Sequence, residues 1–195
     1  MQVKINTRAE KADMQDLFGI FFEDLNHAAD GGLYAELIQN RAFEFCSVDN
    51  PDYHGLTAWE KIEKGGKTEL RVEKEHGFFP ENPHYLVMEI PEEGEDTGVC
   101  NHGFYPGIFY EKGACYNFSC YARKERGDCD RLEISLRSRA GDIYTSQTID
   151  ITDKWEKYQL TFCAPFDDRQ GRLAVTAKGS GCVELDFVSL FPAHT

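Results

Sequence analysis

The sequence predicts a mainly β protein: a β-sandwich of jelly-roll type, preceded by a single strand–helix unit of the parallel β/α kind. Three observations predict it. From residue 43 onward, apolar and polar residues alternate in short runs bounded by Gly, Pro, Asn and Asp. No long stretch of helical periodicity interrupts those runs. Ahead of them, residues 17–22 (Leu-Phe-Gly-Ile-Phe-Phe) are apolar without alternation, as in a strand covered on both faces.

Taken in order, residues 3–5 form a short strand, and a charged stretch over 8–16 separates it from the strand at 17–22, where Gly19 permits close approach. The polar residues Glu23, Asp24, Asn26 and His27 follow directly, at the carboxyl end of that strand. Asp30-Gly31-Gly32 signals a turn. Leu33, Leu37 and Ile38, with Tyr34 and Ala35, have helical spacing, and Asn40 is a stop signal. One strand and one helix leave two open ladder edges and an uncovered face. Residues 1–40 therefore need a partner outside their own segment.

Residues 41–195 make the second unit, the sandwich. Strands are expected near 67–74, 84–90, 107–110, 115–123, 131–138, 143–149, 155–163, 172–178 and 182–190. Alternation is clearest at Leu86, Met88 and Ile90, at Tyr116, Phe118, Cys120 and Ala122, and at Leu132, Ile134 and Leu136. Tyr158, Leu160 and Phe162 continue it, as do Leu173, Val175 and Ala177.

Composition narrows the partners. With 41% hydrophobic residues among 195, the chain can bury a core. A net charge of −13 argues against nucleic acid and anionic membrane surfaces, and is compatible with a neutral ligand such as a sugar. No apolar run reaches the roughly 18 residues of a membrane span. The first residues lack the apolar core of a signal peptide. The seven cysteines are odd in number and contain no CxxC pair. They read as free, mostly buried thiols in a reducing cytoplasm. A Cys115–Cys120 bridge is the alternative, placed awkwardly within one strand.

Two stretches carry a resemblance. Residues 17–44, LFGIFFEDLNHAADGGLYAELIQNRAFE, resemble the amino-terminal signature of the α-L-arabinofuranosidases of glycoside hydrolase family 51. The series Asn40-Arg41-Ala42-Phe43-Glu44, Trp59, residues 115–123, Trp155-Glu156-Lys157-Tyr158 and residues 184–192 is similar to the family 4/9 carbohydrate-binding modules. The resemblance implies that residues 1–40 are the first β/α unit of a (β/α)8 barrel whose remainder is the partner they need, and that 41–195 are an inserted module. It implies a retaining glycosidase with two catalytic glutamates on later barrel strands, about 5 Å apart. The family sets its acid/base in an Asn-Glu pair, and no such dipeptide occurs in this chain. No catalytic residue is assigned here, and the chain alone is expected to be inactive.

The resemblance gives Glu23 a role in holding the arabinofuranosyl ring of the substrate, with Asn26 and His27 shaping the same loop. A carboxylate suits the first task because it accepts from two hydroxyls at once. Within the sandwich, sugar binding needs aromatic platforms beside groups that read hydroxyls. Phe104, Tyr105, Phe109, Tyr110, Asn117, Tyr121 and Arg123 are the candidates, with Phe78 and Phe79 in a Gly/Pro-bounded loop as further ones. Trp59 and Trp155 read as packing residues. His76, His84 and His102 show no metal spacing. Similar modules hold a structural calcium near their chain ends, where Glu44 and Asp186 stand as oxygen donors.

The expected function is therefore the non-catalytic part of an α-L-arabinofuranosidase, its sandwich binding arabinan or arabinoxylan oligosaccharides of plant type. The alternatives are a scaffold or homo-oligomer contact that binds no sugar, and a stand-alone lectin-like protein.

Overall fold

Alternation along the strands builds two antiparallel sheets with apolar inner faces. The computed structural model describes residues 33–193, and every regular element among them is a strand. These are β1 (Trp59–Lys64), β2 (Lys67–Glu73), β3 (Tyr85–Glu92), β4 (Asp96–Asn101), β5 (Ile108–Tyr110) and β6 (Cys115–Gly127). They continue with β7 (Arg131–Arg137), β8 (Ile143–Asp150), β9 (Glu156–Cys163), β10 (Asp168–Lys178) and β11 (Gly181–Pro192). One sheet runs β1-β4-β10-β7-β8, with β5 also paired to β10; the other runs β2-β3-β11-β6-β9. The crossovers make it a sandwich, as the sequence predicts.

The core lies between the sheets. Tyr116, Phe118, Cys120 and Ala122 of β6 face Leu132, Ile134 and Leu136 of β7 and Leu173, Val175 and Ala177 of β10 across it, all buried. Trp59 is buried as expected: its indole N–H donates to the Asn40 carbonyl at 3.0 Å, and its ring lies 5.2 Å from that of Phe43.

Two strands escaped the sequence reading for physical reasons. β1 reads Trp-Glu-Lys-Ile-Glu-Lys, too charged to show an apolar face. β4 turns Thr97, Val99 and Asn101 inward, so its buried face is mostly polar. Asn101 is accommodated by donating to the Gln39 carbonyl at 3.0 Å and accepting from the Gly103 N–H at 2.8 Å.

The helix expected over 33–38 is not formed; that segment is irregular, with one β-bridge at Tyr34. Its N–H groups are committed elsewhere. Leu37 donates to the Leu190 carbonyl at 3.0 Å, and Ile38 donates to the Glu36 carboxylate, also at 3.0 Å. Those bonds replace the i→i−4 ladder a helix requires. Further along, Val188 donates to the Arg41 carbonyl at 3.0 Å, and Ile38 is fully buried in the sandwich core. Residues the sequence reading placed in the amino-terminal unit thus pack with the sandwich. The strands expected at 3–5 and 17–22, with Glu23, Asn26 and His27, lie outside the described residues.

Cysteine pairing also differs from expectation. Cys115 and Cys163 face each other across β6 and the edge strand β9 and are joined as a disulfide. The free-thiol reading stands for Cys46, Cys100, Cys120, Cys129 and Cys182. Spacing could not reveal a pair whose members lie 48 residues apart and become neighbours only through strand register.

Glu36 holds the entering segment in place. Its side chain is 0% exposed, and four groups donate to it. Ile38 N–H and Leu190 N–H (2.9 Å) meet Oε1, while Ser189 Oγ (2.7 Å) and Arg41 Nη1 (3.3 Å) meet Oε2. Burial pushes its pKa up, and the donors oppose that rise. Replacing Glu36 by Ala strands these donors in the interior. The variant is expected to lose about 3 kcal/mol of stability, read as a lower urea midpoint with an unchanged slope.

Candidate functional site

A groove runs over the outer face of the β1-β4-β10-β7-β8 sheet. Its deeper part, about 530 Å³, is lined by Glu60 and Lys64 of β1, Asp96 and Cys100 of β4, Arg137 of β7, Arg172 of β10 and the β7–β8 turn. A second part, about 300 Å³, shares Glu60, Arg139 and Arg172 with the first and adds His102, Gln170, Tyr105 and Pro106. Tyr105 and Phe109 then border a shallow apolar hollow with Arg169, whose guanidinium stands 5.8 Å from the Phe109 ring centre. The three parts join end to end through shared residues.

Strand pattern explains the groove floor. β10 lies between β4 and β7, and its outward positions there are the small residues Ala174 and Thr176, both fully buried. Asp96 and Arg137 close over them. Arg137, only 3% exposed, binds the Asp96 carboxylate through both terminal nitrogens, one at 3.1 Å, and donates from Nε to Ser135 Oγ at 2.7 Å. A two-pronged pair of this kind is rigid and presents fixed donors and acceptors. His102 is half-buried in the second part of the groove, and burial holds its pKa below the ordinary histidine value. It is therefore neutral at pH 7, with one donor and one acceptor nitrogen. Such a surface can exchange hydrogen bonds with a polyhydroxylated ligand.

Tyr105 stands at the groove's edge, 99% exposed, in a turn whose Tyr105–Pro106 peptide is cis. Phe104 is half-buried in the same turn, and Phe109 is half-exposed on β5. An exposed ring beside fixed polar groups matches the recognition of sugar rings by their apolar faces.

The other sandwich candidates fall elsewhere. Tyr110 is corrected to a core residue: it is wholly buried, and its hydroxyl donates to the Arg172 carbonyl at 2.9 Å. β5 alternates, so Phe109 turns out and its neighbours Ile108 and Tyr110 turn in. Asn117, Tyr121 and Arg123 lie on the outer face of the opposite sheet, away from Tyr105. Asn117 accepts from Thr161 Oγ1 at 3.0 Å. Tyr121 stacks under Phe78 (4.8 Å) and meets Phe79 edge-on (5.1 Å). Arg123 pairs with Glu184 and lies 5.0 Å from the Trp155 ring centre. Trp155 packs there against Tyr85 at 5.6 Å, on the outside of the sheet rather than in the main core.

Sequence reading missed Asp96, Arg137, Arg139 and Arg172. Their signal was weak: small outward residues on central strands, Ser135, Ala174 and Cys100, mark a groove only once strand order is known.

Glu44 and Asp186 are the oxygen donors expected for calcium. Asp186 is 0% exposed; Oδ1 accepts the Phe187 N–H at 2.7 Å, and Oδ2 has no hydrogen-bond partner among the described residues. Burial pushes its pKa up to about 8, and the Glu44 charge adds to the rise. The orphan oxygen would suit a hard cation. Glu44, however, commits both oxygens to His84, one to the ring Nδ1 and one to the main-chain N–H at 3.0 Å. No cluster of three or more acidic, His or Cys side chains gathers among the described residues. Among the described residues, Glu44 and Asp186 do not assemble a calcium cage from their side chains.

Asp186 therefore enters as a titrating group. Its folded-state pKa lies above that of an unfolded aspartate, so the folded protein holds a proton that the unfolded chain has released. Its contribution is intact below the ordinary carboxylate range and is lost as pH rises toward about 8. Between pH 5 and pH 9 the wild type is expected to lose more stability than Asp186→Asn, by on the order of a few kcal/mol. Thermal melts of both proteins across that range check this.

Comparison with known proteins gives a consistent picture. No family model matches the chain. It is 38% identical over 200 residues to an extracellular exo-α-L-arabinofuranosidase of Streptomyces chartreusis, covering 99% of this chain and 22% of that protein. It is 31% identical over 209 residues to α-L-arabinofuranosidase 1 of Arabidopsis thaliana, covering 100% of this chain and 29% of the relative. The chain thus spans less than a third of either. Among solved structures, an arabinose-bound α-L-arabinofuranosidase of family 51 superposes with a TM-score of 0.73 at 28% identity, over 88% of this chain and 28% of that one. A family 4 carbohydrate-binding module shares the fold, with a TM-score of 0.52 at 20% identity, over 80% of this chain and 99% of the module. Among the described residues no helix is long and apolar enough to cross a membrane. Over its whole length the chain matches the amino-terminal region of glycoside hydrolase family 51 α-L-arabinofuranosidases, with a β-sandwich of the carbohydrate-binding-module type.

Proposed function

We propose that this chain is the non-catalytic, saccharide-binding part of a larger α-L-arabinofuranosidase, and that its ligand lies in the groove over the β1-β4-β10-β7-β8 sheet. The observation that carries the reading is the joining of an exposed aromatic ring, Tyr105, to a rigid polar floor, Asp96–Arg137, in one continuous groove. The ring covers the apolar face of a sugar, and the floor and neutral His102 read its hydroxyls. Similarity to arabinofuranosidases supports arabinan and arabinoxylan oligosaccharides as the ligand class. Hydrolysis belongs to the rest of the parent enzyme. In this groove the Asp96 carboxylate is engaged by Arg137 as a structural ion pair, with Glu133 3.9 Å from the same guanidinium.

A second reading rests on the opposite sheet. Phe78, Phe79, Tyr121, Trp155 and Phe187 form a half-exposed aromatic patch there, with Phe79 and Phe187 at 4.7 Å and Arg41 stacked 5.2 Å from Phe187. It adjoins the segment by which the chain enters the sandwich. This patch favours a scaffolding role, with the sandwich braced against another part of the enzyme.

Calorimetric titration with arabino-, arabinoxylo- and xylo-oligosaccharides separates the two. The expected result is saturable binding that weakens about tenfold in Tyr105→Ala, with an unchanged melting temperature because the ring is exposed. Absence of heat with every ligand up to millimolar concentration overturns the saccharide reading and leaves the scaffold.

A further inference from the structure

We infer that the groove selects glycans carrying a carboxylate, of the uronic-acid-branched class, through Arg139 and Arg172. This deepens the proposed function and rests on it. The argument begins from charge. The whole chain carries −13, yet the two polar parts of the groove are lined by four basic side chains, Lys64, Arg137, Arg139 and Arg172, against three carboxylates, Glu60, Asp96 and Asp142. Two of the basic groups are matched by carboxylates: Arg137 is held by Asp96, and Lys64 pairs with Glu95 at 2.8 Å, whereas Asp142 accepts only from the neutral Ser138 Oγ at 2.9 Å and keeps its charge.

Arg139 and Arg172 differ. Both converge on Gln170: Arg139 Nη1 donates to its side-chain oxygen at 3.3 Å, and Arg172 Nη1 to its main-chain carbonyl at 2.9 Å. Arg172 also donates to the Gly171 carbonyl at 3.0 Å. All these acceptors are neutral, so neither charge is cancelled, and three bonds occupy only part of the roughly ten N–H donors that two guanidiniums carry. Among the described residues neither guanidinium makes an ion pair, and Glu60 and Asp142 are the lining carboxylates left to balance them. Both guanidiniums line both parts of the groove, Arg172 half-buried and Arg139 exposed, and a guanidinium is itself a fork that fits a planar carboxylate. A neutral hydroxyl would use the donors without using the charge. Tyr105 lies in the same part of the groove as both arginines, so a sugar stacked there can direct a side-branch acid to the fork.

The test uses three ligands of one shape: a xylo-oligosaccharide bearing a single glucuronic acid branch, the same compound with its carboxyl reduced to the alcohol, and the unbranched oligosaccharide. Titrated at low salt, the acidic form is expected to bind at least about tenfold more tightly than its reduced counterpart. That advantage should shrink at high salt. It should fall in Arg139→Gln, whose side chain is exposed and whose loss leaves the fold intact, and vanish in Arg139→Gln/Arg172→Gln. Affinity for the reduced form should change much less than affinity for the acidic form in both variants. Equal binding of the acidic and reduced ligands overturns this inference while leaving saccharide binding in place. No binding of any of the three overturns the saccharide reading itself, and this inference with it.

Discussion

Glu36 is the constraint on which the geometry of the sandwich depends. A carboxylate with no solvent contact survives only if donors surround it, and the chain supplies four, two of them from β11. Meeting that demand fixes the entering segment against the last strand, with Leu37 and Arg41 bonding to Leu190 and Val188 on either side. The positioned segment then delivers Ile38 to the core and Asn40 to the Trp59 indole. It also places the Gln39 carbonyl where buried Asn101 needs an acceptor. Through Asn101 the same constraint reaches the Gly103 N–H, at the base of the turn that presents Tyr105.

The two outer faces of the sandwich are chemically distinct. Over β4, β10 and β7 the outward residues are small near the middle and charged around it, which leaves a polar groove. Over β3, β11 and β6 the outward residues include Tyr85, Glu184, Tyr121 and Arg123, and the loop after β2 lays Phe78 and Phe79 across them. That face is filled with rings in contact with one another. A groove suits a ligand of molecular width, whereas a ring-filled face suits a broad partner. The structure thus separates onto two faces the aromatics that the sequence reading had grouped in one set.

Legibility followed the physics of each feature. The sandwich could be read because alternation is a property of neighbouring residues, as at Leu132, Ile134 and Leu136. β4 could not, because its inward Thr97 and Asn101 are polar and satisfied by groups distant in sequence. The helix expected at 33–38 had the right spacing but lost to tertiary bonds that took its N–H groups. Tyr105 was legible as an aromatic in a Gly/Pro turn. Tyr110 looked equivalent, and only the register of β5 on β10 shows that it points inward.

By itself, then, the sequence determined the fold class, most of the strands and the resemblance to family 51 arabinofuranosidases, since each is written in local pattern or contiguous motif. Tertiary structure alone decided which face forms a groove, that Arg137 and Asp96 meet across a strand, and that Cys115 finds Cys163. Each of those is a contact between residues far apart in the chain, set by strand order and register, and neither of these is fixed by the residues of any single strand.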